Sequence, residues 1–257
     1  MTSLGIRPSP ALAGLLLRAS LALVLLGWAY DIFFNPVYYA HVLRGTGVPI
    51  MLLLLGIGAS FVLGVGIRLA AGLAAVMFAL FGLALEGRQP LGLPQNAGLA
   101  AGALALALLG PGALALRGAD RPVAARSLSL AGTIIRAGLA LTFLVYGVQK
   151  LVYGDEYRII VAGTPVVSLL AKLAGAQATV YLVGASELLL AFAILSGART
   201  VWAASLLAAA LAFFLATRGY PSSYPQDVGL LGVLAALVCA HRTGCVARGW
   251  AAGRPMC

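Results

Sequence analysis

Glu187 is the residue of this chain whose type and position most clearly suggest chemistry. It lies in the stretch Gly184-Ala-Ser-Glu-Leu-Leu-Leu, near the middle of a long apolar run. A carboxylate at the centre of a bilayer costs on the order of 2.5–3.5 kcal/mol on insertion scales, so it must face a protein interior and hold a proton or a partner. Arg136 can pair with it if both lie near mid-depth, and Lys150 ends the same run as Arg136. We therefore predict a polar pocket near Arg136, Lys150 and Glu187, suited to a quinone-like headgroup or to proton relay.

Two further charges are weaker candidates for the same kind of site. Arg18 lies several residues into the first apolar run, as Arg136 does in a later one, and Asp227 opens the last run. Arginines there can instead extend to the membrane interface, and all of these charges can serve only to fix helix packing and orientation. Asp227, like Asn96 at the matching earlier position, can cap a helix by accepting bonds from its first N–H groups.

Histidines and cysteines are few, and their positions argue against a metal centre. A haem held by two histidines needs both at one depth, whereas His41 is expected outside and His241 inside. The cluster near the C-terminus has no spacing typical of zinc sites, and we expect reduced cysteines there, with a soft-metal or redox site as the alternative. That cluster comprises Cys239, His241, Cys245 and Cys257.

The composition identifies the bilayer as the solvent. Hydrophobic residues make up 62% of the chain and charged residues 9%, and the mean hydropathy is +1.02. A soluble core of this length could not bury so much apolar surface. The net charge of +10 does not indicate nucleic acid, because the basic residues lie singly at the ends of apolar runs and form no patch.

Apolar runs near 20 residues long predict membrane-spanning helices. Eight runs qualify: Ala11–Phe34, Val48–Gly66, Leu69–Leu85, Asn96–Leu116, Leu128–Val152, Thr179–Ser196, Thr200–Thr217 and Asp227–Ala240. The last is short for a span and can extend back to Pro225 and forward past His241. We expect an all-α, multi-pass protein.

Charge at the span ends predicts the orientation. With the N-terminus inside, most of the 17 lysines and arginines fall on the cytoplasmic side, which favours both termini in the cytoplasm. The first run has no small-residue cleavage site after a short apolar core, so we interpret it as a retained helix in a bacterial inner membrane.

The chain repeats itself. Three pairs of segments recur in the same order: Arg18-Ala-Ser-Leu-Ala-Leu with Arg136-Ala-Gly-Leu-Ala-Leu, Gly66-Ile-Arg68 with Gly197-Ala-Arg199, and Pro94-Gln-Asn-Ala-Gly-Leu99 with Pro225-Gln-Asp-Val-Gly-Leu230. A period this long indicates a duplicated domain, here two four-helix repeats at 11–122 and 128–243 followed by a cytoplasmic tail at 244–257. Because four is even, both copies begin on the same side, which predicts parallel repeats about an axis along the membrane normal.

The two copies differ in their charged side chains. The position of Lys150 is Ile32 in the first copy (150 − 118), and the position of Glu187 is Phe61. A site is therefore expected in the second copy. The segments Asn35–Gly47 and Tyr153–Gln177 lie outside, and the second is too apolar for a plain loop and too broken for a span, so we predict an interfacial helix within it.

The second half resembles the DoxX family. The resemblance rests on Ile135-Arg-Ala-Gly-Leu-Ala-Leu-Thr-Phe-Leu-Val-Tyr-Gly-Val-Gln-Lys150-Leu, on Gly184-Ala-Ser-Glu187 and on Ser196-Gly-Ala-Arg199; Gly110-Pro-Gly resembles the family's usual ending. It implies a small four-helix membrane protein of the kind found as subunits of quinone-linked oxidoreductases, or as thiol-redox and related accessory proteins. The residues that match are Arg136, Lys150, Glu187 and Arg199, which adds Arg199 to the pocket. The first copy lacks the Lys and Glu equivalents, which argues against two symmetric sites.

These observations favour a membrane subunit or accessory factor of a respiratory or redox complex. We expect no covalently bound cofactor in this chain, a quinone as the ligand, and a protein partner that carries the redox cofactor. A scaffold subunit without a ligand is the first alternative. A small-molecule transporter is the second, although mid-membrane polar residues are few and no matched pair of broken helices is present.

Overall fold

Every regular element of the described residues is a helix. The computed structural model describes residues 10–34, 46–86, 96–112, 114–116, 124–155, 157–158, 165–197, 199–218 and 224–252. Its helices are α1 (Pro10–Phe34), α2 (Gly47–Leu63), α3 (Ile67–Glu86), α4 (Ala97–Leu109), α5 (Ala125–Val152), α6 (Pro165–Ala174), α7 (Ala176–Ser196), α8 (Thr200–Arg218) and α9 (Tyr224–Ala252).

Three of these helices, α1, α5 and α7, are long and apolar enough to cross a membrane, and five shorter apolar helices occupy the other predicted runs. The predicted class, an all-helical multi-pass membrane protein, is confirmed. Eight crossings in two repeats stay a prediction. The short helix α6 falls within the outer segment for which an interfacial helix was expected.

Glycines set several helix ends. α2 and α7 end at Gly64 and Gly197, whose φ angles of +71° and +78° are left-handed, the conformation that commonly closes a helix. α4 ends before Gly110, where φ is +79°, which is why it stops short of the predicted Leu116. α9 runs from Tyr224 to Ala252, so the short last run extends in both directions, as the sequence allowed.

Four helices form the centre of the molecule. α1 packs along α9 and α4 packs along α5, and contacts of α1 with α4, of α5 with α9 and of α4 with α9 close the group. α2 and α3 flank it against α1 and α4, while α7 and α8 flank it against α5 and α9, and α6 packs on α7. The central and flanking helices share one continuous buried core.

Small residues bring the central helices together. Gly138 of α5 lies against Ala101 of α4, and Gly232 of α9 lies against Ser20 of α1. Close backbone approach through small side chains is typical of membrane helix packing, because lipid provides no hydrophobic drive between helices. Large apolar side chains on the outer helices stay exposed, among them Leu182, Leu189 and Trp202, and this surface faces lipid.

Candidate functional site

The structure joins Lys150 of α5 to Glu187 of α7. The Lys150 Nζ lies 2.7 Å from Oε2 and 2.9 Å from Oε1 of Glu187. Both side chains are largely buried, with 15% and 17% of their surfaces exposed. A charged pair enclosed to this degree in an apolar bundle is typical of a functional position in a membrane protein.

Glycines on the two helices allow this pair to form. A methyl group on Gly147 would lie 2.8 Å from the carbonyl oxygen of Gly184, and one on Gly184 would lie 2.9 Å from Cβ of Lys150. Neither position therefore accommodates a larger side chain without movement. The backbones of α5 and α7 approach closely there, and this sets the register that places Lys150 opposite Glu187.

Two tyrosine rings flank the ammonium group. The Lys150 Nζ lies 5.3 Å from the ring centroid of Tyr146 and 5.2 Å from that of Tyr157, distances at which a ring face attracts a cation. The Tyr157 hydroxyl donates to Oε1 of the buried Gln149 at 3.0 Å. Sequence reasoning assigned Tyr157 only to the headgroup belt and passed over Gln149, although Gln149 adjoins Lys150 in an otherwise apolar helix.

The segment after α5 covers the pair. Tyr157 packs with Ala171 of α6 and Phe214 of α8 against the fully buried Val180 of α7. The predicted interfacial helix thus lies on the same group of helices as the site, and its outer side chains, Leu169, Leu170 and Leu173, are exposed.

The starts of α4 and α9 meet beside the site. Gln226 donates through Nε2 to Oδ1 of Asn96 at 2.8 Å and approaches the Tyr146 hydroxyl at 3.5 Å. The prediction that Asn96 caps α4 through its side chain is wrong, because it makes no such bond. The Thr142 hydroxyl of α5 instead accepts a bond from the Gly98 N–H at 2.9 Å. Asp227 lies in the first turn of α9, where a carboxylate is favoured by the helix dipole.

Arg136 does not share the site with Glu187. Its Nη1 lies 2.8 Å from where a methyl group on Gly197 would be, at the end of α7. Fourteen residues separate Arg136 from Lys150 (150 − 136), which is about 21 Å along a helix. The expected pairing of Arg136 with Glu187 is therefore wrong, since the antiparallel register of α5 and α7 places the two at different depths. The residues of the predicted pocket therefore lie in two places. Lys150, in the last turn of α5, pairs with Glu187 in the middle of α7, whereas Arg136 lies beside Gly197 at the C-terminal end of α7.

Arg18 mirrors Arg136. A methyl group on Gly64, the closing glycine of α2, would meet the Arg18 guanidinium, and Arg18 donates through Nη2 to the carbonyl oxygen of Leu114 at 3.1 Å. Counted from the closing glycines, Glu187 lies ten residues before Gly197, and ten residues before Gly64 lies Leu54, not Phe61. The first-half counterpart of Glu187 is therefore the fully buried Leu54, which is equally apolar.

The remaining predicted residues lie apart from the ion pair. Arg199 is exposed in the turn after α7, and Cys239 and His241 lie on α9. The side chain of Cys245 and the whole of Cys257 lie outside the described residues. Within the described part of the chain, no group of three or more His, Cys, Asp or Glu residues is placed to hold a metal ion.

Comparison with known proteins gives a family match over the stretch that contains the site. Residues 131–218 match the model of the DoxX family, a stretch that runs from α5 through α8 and contains Arg136, Lys150, Glu187 and Arg199. The resemblance seen in the sequence is confirmed for this stretch, and residues before 131 lie outside the match. Searches among curated proteins and among solved structures gave no match.

Proposed function

We propose that this membrane protein with a DoxX domain is a subunit or accessory factor of a quinone-linked or thiol-redox oxidoreductase complex, and that the Lys150–Glu187 pair receives the headgroup of a quinone. The observation that carries the proposal is the enclosure of this ion pair between two tyrosine rings in a largely apolar bundle. In this proposal, electrons come from a partner protein that carries the redox cofactor.

The pair has the chemistry that a quinone requires. An ammonium group has three N–H donors, and the described contacts of Lys150 direct two of them to the two oxygens of Glu187. The third can donate to a quinone carbonyl, while Tyr146 and Tyr157 provide faces on which a flat ring can stack. Reduction of a quinone to a quinol takes up two electrons and two protons, and a carboxyl beside an ammonium is a suitable group to deliver those protons.

Reciprocal contacts support the proposal of two parallel repeats. Leu230 packs on Gly98 while Leu99 packs on Gly229, and these residues correspond by the same 131-residue shift (229 − 98 and 230 − 99). A two-fold relation between copies produces such exchanged pairs. We accordingly propose repeats at 11–122 and 128–243 and eight crossings of a bacterial inner membrane. With both termini cytoplasmic, the Lys150 end of α5 then faces the outer leaflet.

A quinone carrying a photoreactive group tests this assignment. Irradiated in membranes with the intact protein, it is expected to label peptides of α5 and α7 around Lys150 and Glu187, and Glu187→Gln should reduce both labelling and quinol-linked turnover. The matched control is Arg158→Gln, which breaks the exposed ion pair of Arg158 with Asp155 at 2.8 Å. Labelling that is unchanged by Glu187→Gln, or confined to other helices, would contradict the proposal.

A scaffold role is the second candidate, and one observation favours it. Both oxygens of Glu187 already bond to Lys150, which is also the arrangement of a pair that only fixes α5 against α7. If that is its whole role, Glu187→Gln lowers stability while the turnover per folded molecule stays the same. Turnover normalised to folded protein therefore separates the two functions.

A further inference from the structure

Two buried polar atoms without partners lie at the turn that joins α7 to α8, one from Arg136 of α5 and one from Thr200 of α8. Among the described residues, neither Nε of Arg136 nor the hydroxyl of Thr200 has a hydrogen-bond partner, although both atoms are buried. Thr200 is only 1% exposed. Buried donors are satisfied in nearly all proteins, so an unsatisfied one calls for a missing acceptor. Two at the same turn indicate that the acceptor is a single external group.

The matching turn of the first half also holds a buried arginine side chain, that of Arg18. There the guanidinium of Arg18 donates to the carbonyl oxygen of Leu114, in the stretch that follows the end of α4. In the second half α9 instead continues as a helix to Ala252, and among the described residues no acceptor meets Nε of Arg136. Counted from the closing glycines, the position of Thr200 is Ile67 in the first half, a buried apolar residue.

The surroundings of this turn favour an anion. α8 begins at Thr200, so the N–H groups of its first turn and the positive end of its dipole lie there. Arg199 adds a second guanidinium on an exposed side chain, and its φ of +53° is unfavourable for a residue with a Cβ. The nearest carboxylate on α7, Glu187, lies ten residues before Gly197, about 15 Å along the helix.

We propose that this turn binds a phosphate group, held by Arg136, Thr200 and Arg199. The oxygens of a phosphate group accept hydrogen bonds, and a guanidinium, a hydroxyl and the N–H groups of a helix N-terminus can donate them. Arg136 is level with the end of α7, which is the depth at which a span meets lipid headgroups, so a phospholipid can supply the phosphate from the same leaflet. Free inorganic phosphate offers the same chemistry. The proposal is independent of any quinone bound at the other end of α5.

Thermal unfolding of the lipid-depleted, full-length protein in neutral detergent tests the site. Three additives are compared: phosphatidylglycerol, inorganic phosphate, and a diacylglycerol with the same chains but no phosphate. We expect phosphatidylglycerol to raise the unfolding temperature of the wild type, and the diacylglycerol to leave it unchanged. A rise with inorganic phosphate alone assigns the site to free phosphate and also supports the proposal. No rise with either phosphate compound would overturn it.

Variants localise the effect. Arg136→Gln should weaken the apparent affinity about tenfold or more, since a hydrogen bond to a charged group is lost. Thr200→Val removes an unpartnered hydroxyl while keeping the shape, so the protein folds normally and affinity still falls; this variant decides if Arg136→Gln does not fold. Arg18→Gln is the matched control and should keep wild-type affinity. Equal affinities of wild type and Thr200→Val, or a diacylglycerol as effective as phosphatidylglycerol, would overturn the proposal.

Discussion

Lys150 and Glu187 depend on each other for their charge. Each is largely enclosed, and an enclosed charge that loses its counter-charge is strongly disfavoured, whereas replacing both partners by apolar groups is often neutral. Removing one residue of the pair should therefore destabilise the protein more than removing both.

A double-mutant cycle measures that dependence. Lys150→Met and Glu187→Leu should each lower the free energy of unfolding by about 3 kcal/mol, because each leaves one buried charge. The double variant should lose much less than the sum of the two. Unfolding in mixed micelles, followed by helical circular dichroism, gives the coupling energy. Strictly additive losses would show that the two side chains do not interact in the folded protein.

Sequence reasoning at the residue scale found Glu187 and Lys150 but not their pairing. The apolar context of Glu187 was sufficient to mark it, since a lone carboxylate in such a run is conspicuous. Its partner depends on the register between α5 and α7, which the contact of Gly147 with Gly184 sets. Arg136 was an equally reasonable partner until that register was known.

Helix packing at the element scale depends on where small residues meet a neighbour. Gly138 and Gly132 both lie on α5, but Gly138 contacts Ala101 of α4, whereas nothing lies within 4 Å of a methyl group on Gly132. Gly132 is therefore a control position for Gly138 on the same helix.

Substitution of each glycine by alanine tests this difference. Gly138→Ala should destabilise the protein by about 1–3 kcal/mol, because α4 and α5 must separate. Gly132→Ala should be neutral or slightly stabilising, since alanine favours the helix and meets no neighbour. Thermal unfolding of both variants in the same detergent is the measurement. A loss of stability in Gly132→Ala as large as that in Gly138→Ala would contradict the packing described here.

Helix ends were predicted less well than helix positions. The sequence indicated caps at Asn96 and Asp227, but Asn96 contacts Gln226 across the α4–α9 contact, and Thr142 of α5 serves the first turn of α4. Both contacts join residues far apart in the chain. Local patterns identify which residues can cap a helix, and the tertiary fold decides which of them do.

At the scale of the whole molecule, the proposed repeats meet at two equivalent contacts, α1 with α9 and α4 with α5. The duplication was predicted from three short sequence matches. Comparison of the two copies then predicted that only the second carries the lysine and the glutamate. The match to the DoxX family covers only residues 131–218. The first half carries an apolar counterpart at each site position, Ile32 and Leu54, and both are buried.

Splitting the chain tests whether the two halves are separate units. A cut after residue 122, between the proposed repeats, should yield fragments that co-purify from membranes when they are co-expressed, because the two central contacts remain available. Gly138→Leu in the second fragment should reduce recovery of the complex, and Gly132→Leu is its control. Fragments that insert into the membrane but never associate would contradict the two-unit arrangement.

A direct binding measurement tests best whether the Lys150–Glu187 pair is a ligand site. A short-chain quinone analogue is titrated into the purified wild type and into the charge-exchanged variant Lys150→Glu/Glu187→Lys, with Arg158→Gln as control. The exchanged pair keeps an ion pair between α5 and α7 but places a carboxylate between the tyrosine rings. We predict wild-type folding and an affinity at least about tenfold lower, as expected for the loss of a charged hydrogen bond. Equal quinone affinity in the exchanged variant and the wild type would contradict the account.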